Sequence, residues 1–220
     1  MLSCAAAAQV TSLDAHSMSR ASQRGLEIWT GRATHSSRWG FLGDTPNVNL
    51  ALIAVRWTLP IKTTSEWVLE YTADVVPMAL LSPPLPTRPG TETAAGRCDA
   101  MSCEVYPLQS TFPHGSSFGA GVSPLGLSWV LEPTARIRPM LATTGGLLWS
   151  DRKVPTTGAA RVNFVATAEA GIRAALSGNT ELTVAYRFHH LSNAGLAREN
   201  PALASHLISL GVRVRQGGSR

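Results

Sequence analysis

Residues 186–195 read YRFHHLSNAG, and within that stretch His190 and Ser192 stand two apart. In an extended strand that spacing sets both side chains on one face. A serine hydroxyl is a weak nucleophile until a neighbouring base takes its proton, and histidine is the usual base near neutral pH. Asn193 and Gly195 follow where the strand must turn into a loop, so their backbone N–H groups are candidates for holding a developing oxyanion. The chemistry that this combination suggests is attack on an acyl carbonyl. On spacing alone, an ordinary strand end that happens to carry His and Ser fits as well. Other signals carry less. GSSFG at 115–119 matches G-x-S-x-G, but a nucleophile elbow needs a strand before it and a helix after it. Here a Pro-rich segment precedes and an apolar strand follows, so the match is read as chance. His114 and His206 have no partner at a useful spacing.

The elements that must position His190 and Ser192 are strands. From residue 25 onward no long segment repeats with the helical period, and eight runs read as strands: 25–34, 47–59, 66–76, 117–131, 135–149, 161–176, 180–192 and 204–215. The connections alternate in length. Residues 35–46, 77–116, 150–160 and 193–203 are long, while PIKTTS, EPT and SGN are short. An up-and-down barrel with one crowded end shows this alternation. Each strand has one apolar face and one that carries charges of both signs. Leu182, Val184, Tyr186 and Phe188 oppose Thr183, Ala185, Arg187 and His189; Trp67, Leu69, Tyr71, Ala73 and Val75 oppose Glu70, Thr72 and Asp74. A soluble barrel would turn the apolar faces inward. A membrane barrel would turn them to lipid and pair its charges across the interior, because buried charges must be paired.

The totals bound the alternatives. The chain has 220 residues, of which 44% are hydrophobic, and a formal net charge of +5. That composition excludes wholesale disorder. No window approaches the roughly 18 continuous apolar residues of a membrane-spanning helix, which leaves membrane strands open. The positive residues are scattered rather than clustered, so nucleic acid is not an expected partner. The opening MLSCAAAAQV resembles the last part of a signal-peptide core with a cleavage site before Gln9. Residues 1–8 are read as that remnant, 9–24 as an irregular segment and 25–220 as one barrel domain. Cys98 and Cys103, in CDAMSC, could form a small disulfide in an oxidising compartment.

The stretch RFHHLSNAG, followed by ENPALASHLISLGV, resembles the signature of the PagL-type lipid A deacylases, within a broader acyloxyacyl-hydrolase branch. GAGVSPLGLSWVLEP, RIRPMLATTGGLLWS, RVNFVATAEAGIRAAL and LTVAYRFHH extend the likeness over about residues 117–213. The resemblance implies an all-β, eight-stranded, antiparallel up-and-down barrel in the bacterial outer membrane. It implies a serine esterase that removes an acyl chain from the lipid A of lipopolysaccharide. His190 falls on the family's base, Ser192 on its nucleophile, and Asn193 and Gly195 on the oxyanion side. No metal or organic cofactor is implied, and a homodimer is left open. The family's acid, twelve residues after the serine, falls on Ala204. Glu199 is the nearby carboxylate that could replace it from a rearranged loop, although an uncharged group orienting His190 is favoured. Arg38, Arg152, Lys153 and Arg198 lie in long connections, where they could meet lipid A phosphates. The competing readings are a non-catalytic outer-membrane barrel and a soluble lipid-binding barrel.

Overall fold

The computed structural model describes residues 23–34, 36–37, 45, 47–82, 95–98, 103–106 and 115–216. Eight long strands follow one another: β1 (Arg24–Ala33), β3 (Asn49–Thr63), β4 (Trp67–Ser82), β7 (Ser117–Leu131), β8 (Ile137–Val154), β9 (Ala160–Ser177), β10 (Thr180–Ser192) and β11 (Leu203–Gln216). Each pairs antiparallel with the next, and β1 closes on β11 from Arg24↔Gln216 to Arg32↔Ile208. The expected eight-stranded up-and-down barrel is therefore present. A two-residue strand, β2 (Ser36–Ser37), continues beyond β1 and pairs with β11 at Ser205 and Ala204. A small hairpin, β5 (Ala95–Cys98) and β6 (Cys103–Tyr106), sits in the longest connection and sets Cys98 opposite Cys103 along its backbone. The signal-like residues 1–8, most of 9–24, Arg38 and His114 lie outside the described residues.

Burial decides which side faces what. Outward positions are apolar and exposed: Ile28, Val75, Leu127, Leu141, Ile208 and Leu210 are among them. Inward positions include five buried carboxylates, Glu27, Glu70, Asp74, Glu169 and Glu181. Arg56, Arg138, Arg173, Arg187 and Arg213 pair with four of these, Glu70, Asp74, Glu169 and Glu181, across the lumen. A soluble barrel needs the reverse arrangement, so the medium outside this one is lipid. Outward-facing aromatic residues mark two levels. Trp67 and Trp129 meet edge-on at 5.6 Å, with Trp57 and Tyr71 at 6.1 Å, toward the short turns. Phe118, Trp149 and Phe164 are exposed toward the long connections. Aromatic side chains gather at such levels because one end of the ring is apolar and the other tolerates water.

The interior itself is layered. Nearest the short turns, Glu70 and Glu181 hold Arg138, Arg173, Arg213 and Arg215. Above them Arg56 grips Asp74 at 2.7 Å and Glu169 at 2.9 Å, and the guanidinium of Arg187 stacks 3.7 Å over Trp29. Nearest the long connections the filling is aliphatic: Leu50, Leu81, Leu148, Leu191, Leu203 and Leu207. An interior charged along its whole length is thus not what the strands build. The loop end of the barrel is plugged with leucine.

Three strands exceed the sequence-based bounds by more than one residue at an end. β3 runs through Pro60 and β4 through Pro77, where strand ends were expected. Proline removes a ladder donor and is tolerated at bulges. The register shifts at Pro60/Lys62 and at Val76/Ala79, the two places that carry the prolines. β8 continues to Val154 through SDRK, residues expected in a loop.

Candidate active site

β10 runs from the turn at Gly178 toward the connection 193–202. Its odd-numbered residues are buried in the lumen: Glu181, Arg187, His189 and Leu191. Its even-numbered residues point outward, so Tyr186, Phe188, His190 and Ser192 form a line on the outer surface. His190 and Ser192 are half-buried and sit where the outward apolar band gives way to a long connection. The expected shared face is what the strand builds. His189, one position away, faces inward among Trp29, Asp74 and Arg187 and cannot exchange roles with His190.

The bend after Ser192 uses two left-handed residues, Ala194 (φ 50°) and Gly195 (φ 80°). Glycine adopts that conformation without penalty, whereas alanine there is strained by about 1–3 kcal/mol and must be held by its surroundings. Asn193 does the holding. Its buried side chain donates from Nδ2 to the Glu199 carbonyl at 2.7 Å and accepts the Gly195 N–H at Oδ1, 3.0 Å away. Its own N–H donates to Asn200 Oδ1 at 2.9 Å. Both N–H groups expected for an oxyanion are therefore used inside the loop. The Ala194 N–H instead approaches Ser192 Oγ at 3.4 Å, so the donor beside the Ser192 hydroxyl belongs to the residue between the two expected ones.

Glu199 is not brought to His190. Its carboxylate accepts from Thr156 Oγ1 at 2.9 Å, and its N–H donates to the Gly158 carbonyl at 3.2 Å. A Cβ on Gly158 would lie 2.2 Å from the Glu199 carboxyl carbon, so only glycine lets this side chain lie there. Glu199 ties the connection 193–202 to the connection 155–159. Ala204, the position where the sequence resemblance implied an acid, lies directly opposite His190 in the β10–β11 ladder and is fully buried despite pointing outward. Ser37 lies opposite Ala204 on the other side. None of these contacts has a local sequence signal, since each partner lies far away along the chain.

The other sequence candidates separate. Arg152, Lys153 and Arg198 are exposed at the long-connection end, with Arg152 beside Asp151. Ser117 of GSSFG is buried, donates to Asp151 at 2.7 Å and begins a strand rather than a helix. His206 is on the outer face, where its Nδ1 meets the Tyr186 hydroxyl and its ring packs against Phe188.

The fold and sequence have known counterparts. A crystal structure of the outer membrane enzyme PagL superposes with a TM-score of 0.54 at 14% identity, covering 86% of this chain and 98% of that one. Neisserial surface protein A (NspA) gives a TM-score of 0.47 at 13% identity, covering 88% of this chain and 97% of that one. No curated protein matches the chain. The sequence profile of the family described as lipid A 3-O-deacylase (PagL) matches residues 101–213, just over half of the chain, including His190, Ser192 and Ala204. The chain belongs to the lipid A 3-O-deacylase (PagL) family.

Proposed function

We propose that this outer-membrane barrel hydrolyses an acyl ester of lipid A with Ser192 as nucleophile and His190 as base. The observation that carries the assignment is the outward direction of both side chains at the edge of the lipid-facing band. Only there can a strand residue meet an ester that remains in the membrane. Ser192 Oγ attacks the ester carbonyl carbon while His190 takes the hydroxyl proton. The carbonyl oxygen gathers negative charge, and the Ala194 N–H beside Ser192 is the donor available to it. The tetrahedral species collapses to an acyl-serine, and the protonated His190 gives its proton to the departing sugar oxygen. Water activated by His190 then releases the fatty acid and restores the serine. Both side chains that carry these steps lie on one face of one strand, and the oxyanion donor follows in the bend beyond it.

Ser192→Ala tests the assignment. Deacylation measured by mass spectrometry of lipid A should be abolished, while the variant keeps heat-modifiable gel migration as a folded barrel. Loss of one half-exposed hydroxyl costs little stability. A fully active variant would end the serine-esterase assignment. The cations at the long-connection end supply a second reading of substrate contact. Arg152, Lys153 and Arg198 are exposed at the end of the barrel that holds Ser192, where cations can bind a headgroup phosphate by charge-assisted hydrogen bonds. Neutralising all three should raise KM for phosphorylated lipid A more than for the dephosphorylated form. Equal changes on both substrates would assign these cations to solvent.

A further inference from the structure

We propose that Cys98 and Cys103 are joined by a disulfide that holds the β5–β6 hairpin together on the longest surface connection. The inference is independent of the Ser192–His190 assignment. It starts from what the hairpin lacks. β5 and β6 form a two-stranded sheet of their own, four residues against four, separate from the barrel sheet. A hairpin with no third strand is marginal in water. β5 reads AGRC, and alanine and glycine are depleted in strands. The barrel gives the hairpin no ladder to extend. Its own ladder ends where Leu81 stands opposite Ser117, and Ser82 Oγ and Ser116 Oγ share a hydrogen bond at 3.1 Å. The connection thus leaves and rejoins the barrel at one place, and a hairpin carried on it needs a link of its own.

The backbone register supplies the place for that link. Cys98 stands directly opposite Cys103, in the last pair before the four-residue link DAMS. Opposed residues of an antiparallel pair share a side of the sheet, and their Cα atoms are about 4.5–5.5 Å apart. A disulfide spans Cα separations of about 4.4–6.8 Å, so this register suits the bond. The next pair, Arg97 opposite Glu104, is opposite in charge and favours the same register. The compartment suits it too. Long connections of an outer-membrane barrel lie outside the cell, where disulfides form and persist. The oxidant is the disulfide of a periplasmic dithiol–disulfide oxidoreductase. One cysteine thiolate displaces a sulfur of that disulfide, and the second then displaces the oxidoreductase from the mixed disulfide. Two electrons and two protons leave the cysteine pair, and the oxidoreductase is released as a dithiol.

The test uses the full chain purified from outer membranes, with thiols blocked by iodoacetamide in denaturant at lysis. Cyanogen bromide then cuts after Met101, between the two cysteines. With the bond present, fragments 79–101 and 102–140 travel as one species without the alkyl group, and reductant separates them. Two separate fragments, each alkylated at its cysteine, overturn the proposal. A link from Cys4 to either fragment overturns it equally. A second measurement reads the hairpin rather than the bond. Trypsin cleavage of the folded barrel after Arg97 should quicken roughly tenfold when reductant is added. Cys98→Ser, checked as a folded barrel by heat-modifiable migration, should be cut at that faster rate with or without reductant. Cleavage at one rate before and after reduction would overturn the holding role.

Discussion

At the scale of single residues, the shared outward face of His190 and Ser192 was legible because β-strand alternation is a strict rule. Once 180–192 is a strand, His190 and Ser192 must share a side, and Phe188 must share it with them. The remaining site chemistry was not legible, because it depends on which loops touch. Nothing near Glu199 in the sequence signals that Thr156 will take its carboxylate or that Gly158 will make room for it. Nor does the run SNAG show that Asn193 will spend its polar groups on the loop. These contacts give Glu199 an anchoring role. Glu199→Gln keeps an oxygen that can accept from Thr156, so deacylation should stay within a few-fold of the unsubstituted rate, in line with an uncharged group orienting His190. Loss of activity as complete as that of Ser192→Ala would make Glu199 the third catalytic member despite its carboxylate's hydrogen bond to Thr156. Mass spectrometry of lipid A separates the two outcomes.

At the scale of elements, the eight strands could be read from period-two alternation, and the turns from their short Pro- and Gly-containing links. Their ends could not. Pro60 and Pro77 look like terminators because a proline lacks the ladder N–H, yet the sheet accommodates both at register shifts. β2 was also invisible, since two residues carry no period. Its position nonetheless decides how Ala204 is enclosed. Ser36 pins it: the side chain is buried, accepts the Val48 N–H and donates to the Thr45 carbonyl. Replacing Ser36 by Ala should leave those two backbone groups without that partner, at a cost of about 1–3 kcal/mol confined to this edge. Hydrogen exchange should then quicken at residues 36–37, 45–48 and 204–205 while β7 to β9 remain protected. Uniform protection across the barrel would show that β2 is held by something other than Ser36.

At the scale of the whole molecule, the chain is an inverted globule with two unlike ends. The outer surface is apolar; the lumen is ionic near the short turns and aliphatic near the long connections. The outward apolar faces were readable strand by strand. The layering inside was not, because it depends on which strands face each other across the lumen. Arg213 shows the consequence. Its guanidinium reaches Glu181 at 2.8 Å, Glu70 at 3.0 Å and the Thr58 hydroxyl at 2.8 Å, joining β11 to three other strands. Gly25 leaves the space, since a Cβ there would lie 2.1 Å from Arg213 Nε. Removing one member of a buried ionic cluster costs about 3–5 kcal/mol when the opposite charge is left uncompensated. Glu70 retains Arg173, and Glu181 retains Arg138 and Arg215, so the lower end, about 3 kcal/mol, is expected for Arg213→Met. Arg215→Met leaves Glu181 with both Arg138 and Arg213, and Arg215 itself lies at the turn, where it pairs with Glu181 and bonds the Gly178 carbonyl. Its cost should be smaller. On a gel series heated in steps, the compact form of Arg213→Met should therefore be lost at a lower temperature than that of Arg215→Met. Equal transition temperatures would mean that the lumen behaves as separate ion pairs rather than as a cluster centred on Arg213.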